Sequence, residues 1–212
     1  MNMTKKSILA GALIAIGALF SIAAKPYGNV VQGLCFSVGL FGVLCTGSVL
    51  FTGRVLTVRS VFGGERGVTD VAMVLAAVWG LNLVGAVVVA LMAWSMGFDA
   101  TSAAQAKASM PWHEVVARAV LCNVMVCMAV WIAQESAFCS YGTVDALAAC
   151  ALPVACFVAC GFEHSVADML YMPLGFMQGS VGLSDCARVV LLATVGNVVG
   201  GVAFSWLVWE EQ

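Results

Sequence analysis

The sequence predicts an all-α membrane protein of six transmembrane helices, two of them broken, arranged as an inverted repeat. Three observations carry that prediction. The 212 residues are 62% hydrophobic and only 9% charged, with mean hydropathy +1.03. A water-soluble domain carries about 25% charged residues. So few charges cannot cover a water-facing surface, and most of the outside therefore faces lipid. The chain also divides into six apolar stretches, each long enough for the roughly 20 residues that cross a bilayer. Two of these stretches are too long for one crossing and too short for two, and they occupy equivalent places in the two halves.

Taken in order, the first span reads Ser7–Ala24 and closes at Lys25-Pro26-Tyr27-Gly28. A basic start before an apolar core also fits a secretory signal. The length of the core and the apolar chain beyond it favour an uncleaved span. The second segment, Val30 to Phe62, has Arg54 and Arg59 as its only charges and runs 33 residues. As one helix it would extend about 50 Å, against a hydrocarbon thickness of about 30 Å. Thr46-Gly47-Ser48 and Thr52-Gly53 interrupt it, which predicts a broken helix with a loop near mid-membrane. Val68 to Met96 is span three, Phe98–Trp112 a polar loop, and Glu114 to Ala133 span four. Asp145 to Gln178 repeats the pattern of the second segment over 34 residues, interrupted at Gly161-Phe162-Glu163-His164-Ser165, and Cys186 to Trp209 is span six. Trp94, Trp112, Trp206 and Trp209 fall where an interfacial belt would place them.

An internal repeat supports the division. Trp79-Gly80-Leu81-Asn82-Leu83-Val84-Gly85 in span three matches Thr194-Val195-Gly196-Asn197-Val198-Val199-Gly200 in span six, each with a glycine three residues after an asparagine. Three spans per half is an odd number, so the second half is inverted relative to the first. The chain is therefore read as one transmembrane domain, 1–212, with inverted halves of about 7–97 and 113–209. Paired broken segments in inverted halves point to a transport site at mid-membrane. With the amino terminus inside, Lys5, Lys6, Arg54, Arg59 and Arg66 lie on the cytoplasmic side and Lys25, Lys107 and Arg188 outside. That bias places both termini in the cytoplasm.

Several function classes fall away. A net charge of −2 with no basic stripe argues against nucleic acid. The nine cysteines sit mostly in apolar runs, and none forms a Cys-x-x-Cys pair or a Cys/His cluster with metal spacing. No catalytic residue, cofactor or metal ligand is expected. A membrane anchor subunit of a redox complex is the alternative of a different class, but haem ligation there needs paired histidines on spans. This chain has only His113 and His164.

Four acidic, basic or imidazole side chains fall deep in the spans: Arg118, Glu163, His164 and Asp168. A charge at the bilayer centre costs at least a few kcal/mol, so such groups line a cavity or pair internally. His164 stands at the break of the fifth segment, where unwound backbone is tolerated only beside protein or water. Its ordinary pKa near 6.5 lets it exchange a proton around neutrality. Glu163 can brace a neighbouring segment by hydrogen bonding. Asp168, one helical turn from His164, is close enough to interact with it. Arg118 can snorkel to the outer surface.

Gly161-Phe162-Glu163-His164-Ser165-Val166-Ala167, followed by Met169, Pro173 and Gly175, resembles the central-histidine motif of the formate/nitrite transporter family. Leu50-Phe51-Thr52-Gly53 resembles that family's omega loop, Leu121 to Trp131 its fourth-helix signature, and Gly196-Asn197-Val198-Val199-Gly200-Gly201 its sixth-helix one. The blocks occur in family order from about residue 8 to residue 209. The resemblance implies an aquaporin-like protomer in a homopentamer of the bacterial inner membrane. Its permeants would be formate or nitrite, with hydrosulfide, acetate and lactate within the same family's range. An aquaporin itself is excluded because neither break contains Asn-Pro-Ala. The family's central histidine maps to His164, its omega-loop threonine to Thr52, the basic residue before helix four to Lys107, and the sixth-helix asparagine to Asn197. Asn123 lies in the fourth-helix signature. The apolar constrictions map to Phe36 and Leu40 on the cytoplasmic side and to Leu50, Phe51 and Phe157 on the outer side.

That set makes physical sense. A bare anion between phenyl rings would lose hydration without compensation. Lys107 would draw anions in, and broken-helix amide ends near His164 and Thr52 would add positive potential. A proton taken up there would let a neutral acid pass, with His164 as relay or electrostatic switch. Two departures from the pattern stand out. Relatives carry an amphipathic segment before helix one, whereas here the chain enters the membrane almost at once, so gating by that segment is not expected. Asp168 occupies a place where the family usually has asparagine, and an acid there is expected to act on His164.

Overall fold

The structure, a computed structural model, describes residues 2–135 and 143–209, and every regular element among the described residues is helical. Helix α1 (Met3–Ala23) starts at Asn2, whose side chain accepts the Lys5 N–H at 3.0 Å and satisfies one of the orphan donors of the first turn. After a 3₁₀ turn at Lys25–Tyr27, α2 (Asn29–Thr46) runs to Gly47. A loop at 47–50 leads to α3 (Phe51–Arg54), a second 3₁₀ turn (Val55–Val58) and α4 (Arg59–Phe62). Helices α5 (Val68–Ser95), α6 (Thr101–Ser109) and α7 (Trp112–Glu135) follow. Next come α8 (Thr143–Ala159), a loop at 160–164, α9 (Ser165–Met177) and α10 (Leu183–Leu207).

Helices α1, α2, α5 and α10, together with Trp112–Ala133 of α7, are long and apolar enough to cross a membrane, with mean hydropathies of 1.6 to 2.4. The sixth crossing expected from the sequence rests on taking α8 and α9 together, since the apolar run Cys150–Ala159 is too short to span alone. Both breaks fall in the segments where the sequence placed them, although Thr52-Gly53, read as part of the first interruption, lies in α3. The region read as a polar loop differs, because α6 occupies most of it. Its alanines at 103, 104, 106 and 108 are strong helix formers, but nine residues are too few for the apolar periodicity by which longer helices are read.

The two halves pack alike. Helix α1 lies against α2 and α5; α7 lies against α8 and α10; α2 packs on α8, and α9 fills the space beside α5 and α10. Two glycines set how close the long helices come. A Cβ on Gly85 would lie 2.0 Å from the Ile8 carbonyl oxygen, and one on Gly200 would lie 2.1 Å from that of Val120. Only a residue without a side chain fits either crossing, as in close-packed membrane helices generally. Away from these seams, large apolar side chains such as Phe20, Leu34, Val88, Leu91 and Val199 are exposed, as befits a surface whose solvent is lipid.

Candidate permeation site

Two asparagines hold the breaks open in the same way. At the first, the Phe51 N–H donates to Asn82 Oδ1 at 2.8 Å. Asn82 Nδ2 donates to the carbonyls of Val49 (3.1 Å) and Ser7 (2.7 Å). At the second, the Ser165 N–H donates to Asn197 Oδ1 at 2.9 Å, and Asn197 Nδ2 donates to the carbonyls of Glu163 (3.0 Å) and Ala119 (2.8 Å). In each case one amide side chain takes the first N–H of the resuming helix and the carbonyl two residues earlier, then ties both to a neighbouring span. Unwound backbone inside a membrane must be satisfied by protein in this way. Asn123 braces the arrangement, its Nδ2 donating to the Asn197 carbonyl at 2.6 Å and the Thr52 carbonyl at 3.3 Å. Cys127 Sγ donates to the same Thr52 oxygen at 3.5 Å. Asn82 was visible in the sequence as the repeat partner of Asn197, yet its role as a pin could be read only from the structure.

His164 caps α9. Its Nδ1 accepts the Ala167 N–H at 3.1 Å, and its Nε2 lies 3.1 Å from Thr52 Oγ1. A ring nitrogen that accepts an N–H carries a lone pair, so the neutral ring has its proton on Nε2 and donates it to the Thr52 hydroxyl. Charging the ring requires a proton on Nδ1 and therefore the loss of the helix cap. His164 is 3% exposed, and its ring forms a three-ring cluster with two phenyl groups, stacked on Phe157 at 6.1 Å and at an angle to Phe36 at 6.2 Å.

A cavity of about 710 Å³ opens above this group; Phe36, Phe157, His164, Lys107, Lys25 and Arg118 are among its lining residues. At the opposite end of α1, a second cavity of about 420 Å³ is lined by Lys6, Leu50, Arg54, Arg59 and Val130, among others. Thr52, fully buried, stands between the two. The apolar residues group differently from the sequence expectation. Phe36 and Phe157 meet edge to face at 5.7 Å in the cavity that holds Lys25 and Lys107, whereas Leu50 lines the cavity that holds Lys6. Phe51, next in the chain, is buried. Phe36 and Leu40 were assigned to the cytoplasmic side and Phe157 to the side of Leu50 and Phe51; that partition is corrected. The reason is geometric: α2 begins just after Lys25, so Phe36, about two turns in, belongs to the Lys25 end, and Leu50 follows the far end of the same helix. Leu40, one turn beyond Phe36, is buried.

Lys107 does not stand free in its cavity. Its ammonium lies 2.6 Å from Glu163 Oε2 and 2.9 Å from Asp168 Oδ1, and 5.2 Å from the centre of the Tyr171 ring. Burial alone would lower its pKa, but the two carboxylates outweigh burial and hold it above the ordinary lysine value, so it stays charged. Asp168 was expected to act on His164; its side chain turns to Lys107 instead, and only its backbone N–H reaches the His164 carbonyl, as in any helix. Arg118 reaches towards the mouth of the cavity, as expected, and is also held there. One nitrogen donates to the Gly161 carbonyl at 2.8 Å, and another pairs with Glu114 at 2.5 Å, which clamps the second break.

A lipid-facing helical shell around paired breaks, with an imidazole and a hydroxyl between two cavities, defines a membrane transporter or channel. A family model described as formate/nitrite transporter matches residues 1–209. The formate channel FocA of Haemophilus influenzae is 30% identical, over 92% of this chain and 80% of its own. The nitrite transporter NirC of Salmonella typhimurium is 32% identical, over 95% and 79% respectively. A solved pentameric formate channel with formate bound superposes with a TM-score of 0.80 at 24% identity, covering 97% of this chain and 94% of that one. The chain belongs to the formate/nitrite transporter family, a family of transporters and channels and not of enzymes.

Proposed function

We propose that this protein passes formate or nitrite, together with a proton, across the bacterial inner membrane, as one protomer of a homopentamer with both termini in the cytoplasm. The observation that carries the reading is the His164–Thr52 pair at 3.1 Å, beside the Phe36 and Phe157 rings in a cavity that also holds Lys107. An anion descending that cavity would lose water at the edge-to-face contact of Phe36 and Phe157, which must part to let it by, and meet the Thr52 hydroxyl, a neutral donor that itself accepts from His164 Nε2–H. A proton taken from water in the cavity lets it leave as its conjugate acid, which crosses the apolar stretch at Leu50 and Phe51 without the cost of a bare charge. Asn82, Asn123 and Asn197 keep the donors in place, and Glu163 anchors Lys107. The names of the relatives support both permeants, and their nearly equal identities to this chain favour neither. The solved pentameric channel supports the assembly.

The test is proteoliposome flux of formate, nitrite and hydrosulfide at two pH values, comparing native protein with His164→Ala and Lys107→Ala. Both variants should lose most of the flux of the natural permeant. Unchanged flux in both would overturn the mechanism.

A further inference from the structure

We propose that the Lys107–Glu163–Asp168 cluster holds one proton shared between its two carboxyl groups, and that losing this proton closes the pore to anions. The inference rests on the anion-transport reading above. It starts from a count of charges. One ammonium lies 2.6 Å from Glu163 and 2.9 Å from Asp168, and the two acids are 3% and 0% exposed. Neither oxygen of Asp168 receives a well-directed hydrogen bond. With both acids ionised, the cluster carries a net charge of −1 with both carboxylates buried. Buried carboxylates that share a site do not both ionise readily, because each raises the cost of the other.

Among the described residues, none around the cluster supplies the missing positive charge. From α7, Arg118 faces the cavity but is matched by Glu114, and Cys122 of the same helix is uncharged as a thiol. Tyr171 of α9 lies under Lys107 and donates its hydroxyl to the Ala18 carbonyl of α1. Lys25, at the mouth, turns its ammonium to the Ser102 hydroxyl at 2.9 Å. Arg188 of α10 turns its guanidinium to the carbonyls of Ala108 and Met110. His164, adjacent to Glu163, is held neutral by its cap. A proton from cavity water is thus the available compensation. With it, the cluster is neutral and Lys107 can turn a donor toward an entering anion. Without it, a net negative charge stands beside His164 on the anion's route. Asparagine at position 168, the residue of the family pattern, would leave one lysine facing one glutamate and remove the need for the proton.

Native protein, Asp168→Asn and Glu163→Gln would be reconstituted for formate and nitrite flux across acid to neutral pH. The same purified proteins would be titrated by infrared difference spectroscopy, which reads a protonated carboxyl directly. Asp168→Asn keeps the size of the side chain and an oxygen for Lys107, so it should fold. The native protein is expected to show a carboxyl carbonyl band that fades as pH rises and is missing from Asp168→Asn. Its flux should fall towards neutral pH more steeply than that of Asp168→Asn, which should exceed it several-fold there. Absence of the band from native protein, or superimposable flux–pH curves for native and Asp168→Asn, would overturn the proposal. If no protein passed either anion, the transport reading would fail separately, and the infrared titration alone would decide whether the proton is held.

Discussion

The two breaks share a frame and differ in what stands on it. Leu50 and His164 occupy the same position, the residue before the helix resumes, with similar extended backbones (φ −93°, ψ 132° and φ −110°, ψ 108°). Asn82 and Asn197 pin the two loops by matching sets of hydrogen bonds. Yet the first break presents an apolar side chain before a four-residue helix, and the second presents an imidazole that caps thirteen residues. The surroundings diverge too. Lys6, Arg54 and Arg59 are the charged residues lining the cavity beside Leu50, whereas the cavity above His164 mixes Lys25, Lys107 and Arg118 with Asp99 and Glu163. The repeat builds two openings in the backbone; chemistry is installed in one of them.

The largest effect should come from the crossings that both halves share. Gly85→Ala and Gly200→Ala each drive a Cβ into a backbone carbonyl, at 2.0 and 2.1 Å, so the helices must separate. Each is expected to cost about 3 kcal/mol or more, at or above the upper end of ordinary overpacking. Thermal unfolding of the detergent-solubilised variants should show similar losses. Tolerance at one site alone would break the equivalence of the halves. Asn82→Ala and Asn197→Ala come next. Each removes three hydrogen bonds, two to the break and one to a neighbouring span, about 1 kcal/mol apiece, for a loss of about 2–3 kcal/mol and of flux through either break.

Much of this frame was legible in the sequence. The paired 33- and 34-residue segments located both breaks, and the asparagine–glycine repeat located their pins. The central histidine and the omega-loop threonine were named from motifs, and the structure brings them to 3.1 Å. What a linear reading could not supply was which side chains converge from distant segments. Phe36 and Phe157 are far apart in sequence and were assigned to opposite constrictions, although α2 and α8 pack together and bring the rings into contact. Asp168 is one turn from His164, so local spacing suggested that pair. The true partner, Lys107, arrives on a short helix that was read as a loop.

The difference between Leu50 and His164 can be tested by giving both positions the same residue. Asparagine is a good N-cap, so His164→Asn should keep α9 capped and cost no more than about 1 kcal/mol while removing the ionisable ring. Its flux should drop and lose the part of its pH dependence owed to His164. Leu50→Asn should leave the pH profile of flux as in native protein. If His164→Asn retained native flux and pH dependence, the ring would serve only as a cap, and the two breaks would be alike in function as well as frame.

The smallest expected effect concerns the two mouths. Lys6 lines its cavity beside Arg54 and Arg59, whereas Lys25 shares its cavity with Asp99 and Glu163. Neutralising Lys6 therefore removes one of three cations lining its cavity, and neutralising Lys25 perturbs a lining already mixed in sign. In vesicles of known orientation at low ionic strength, Lys6→Gln should slow anion entry from its own side a few-fold, and Lys25→Gln should change entry from the other side less. Raising ionic strength from 0.01 to 0.15 M shortens the screening length from about 30 to about 8 Å, so the Lys6→Gln deficit should shrink with salt. A deficit that ignored salt would mean that the Lys6 side chain acts through its packing beside the first break, whose residues Gly47 to Leu50 line the same cavity, and not through its charge.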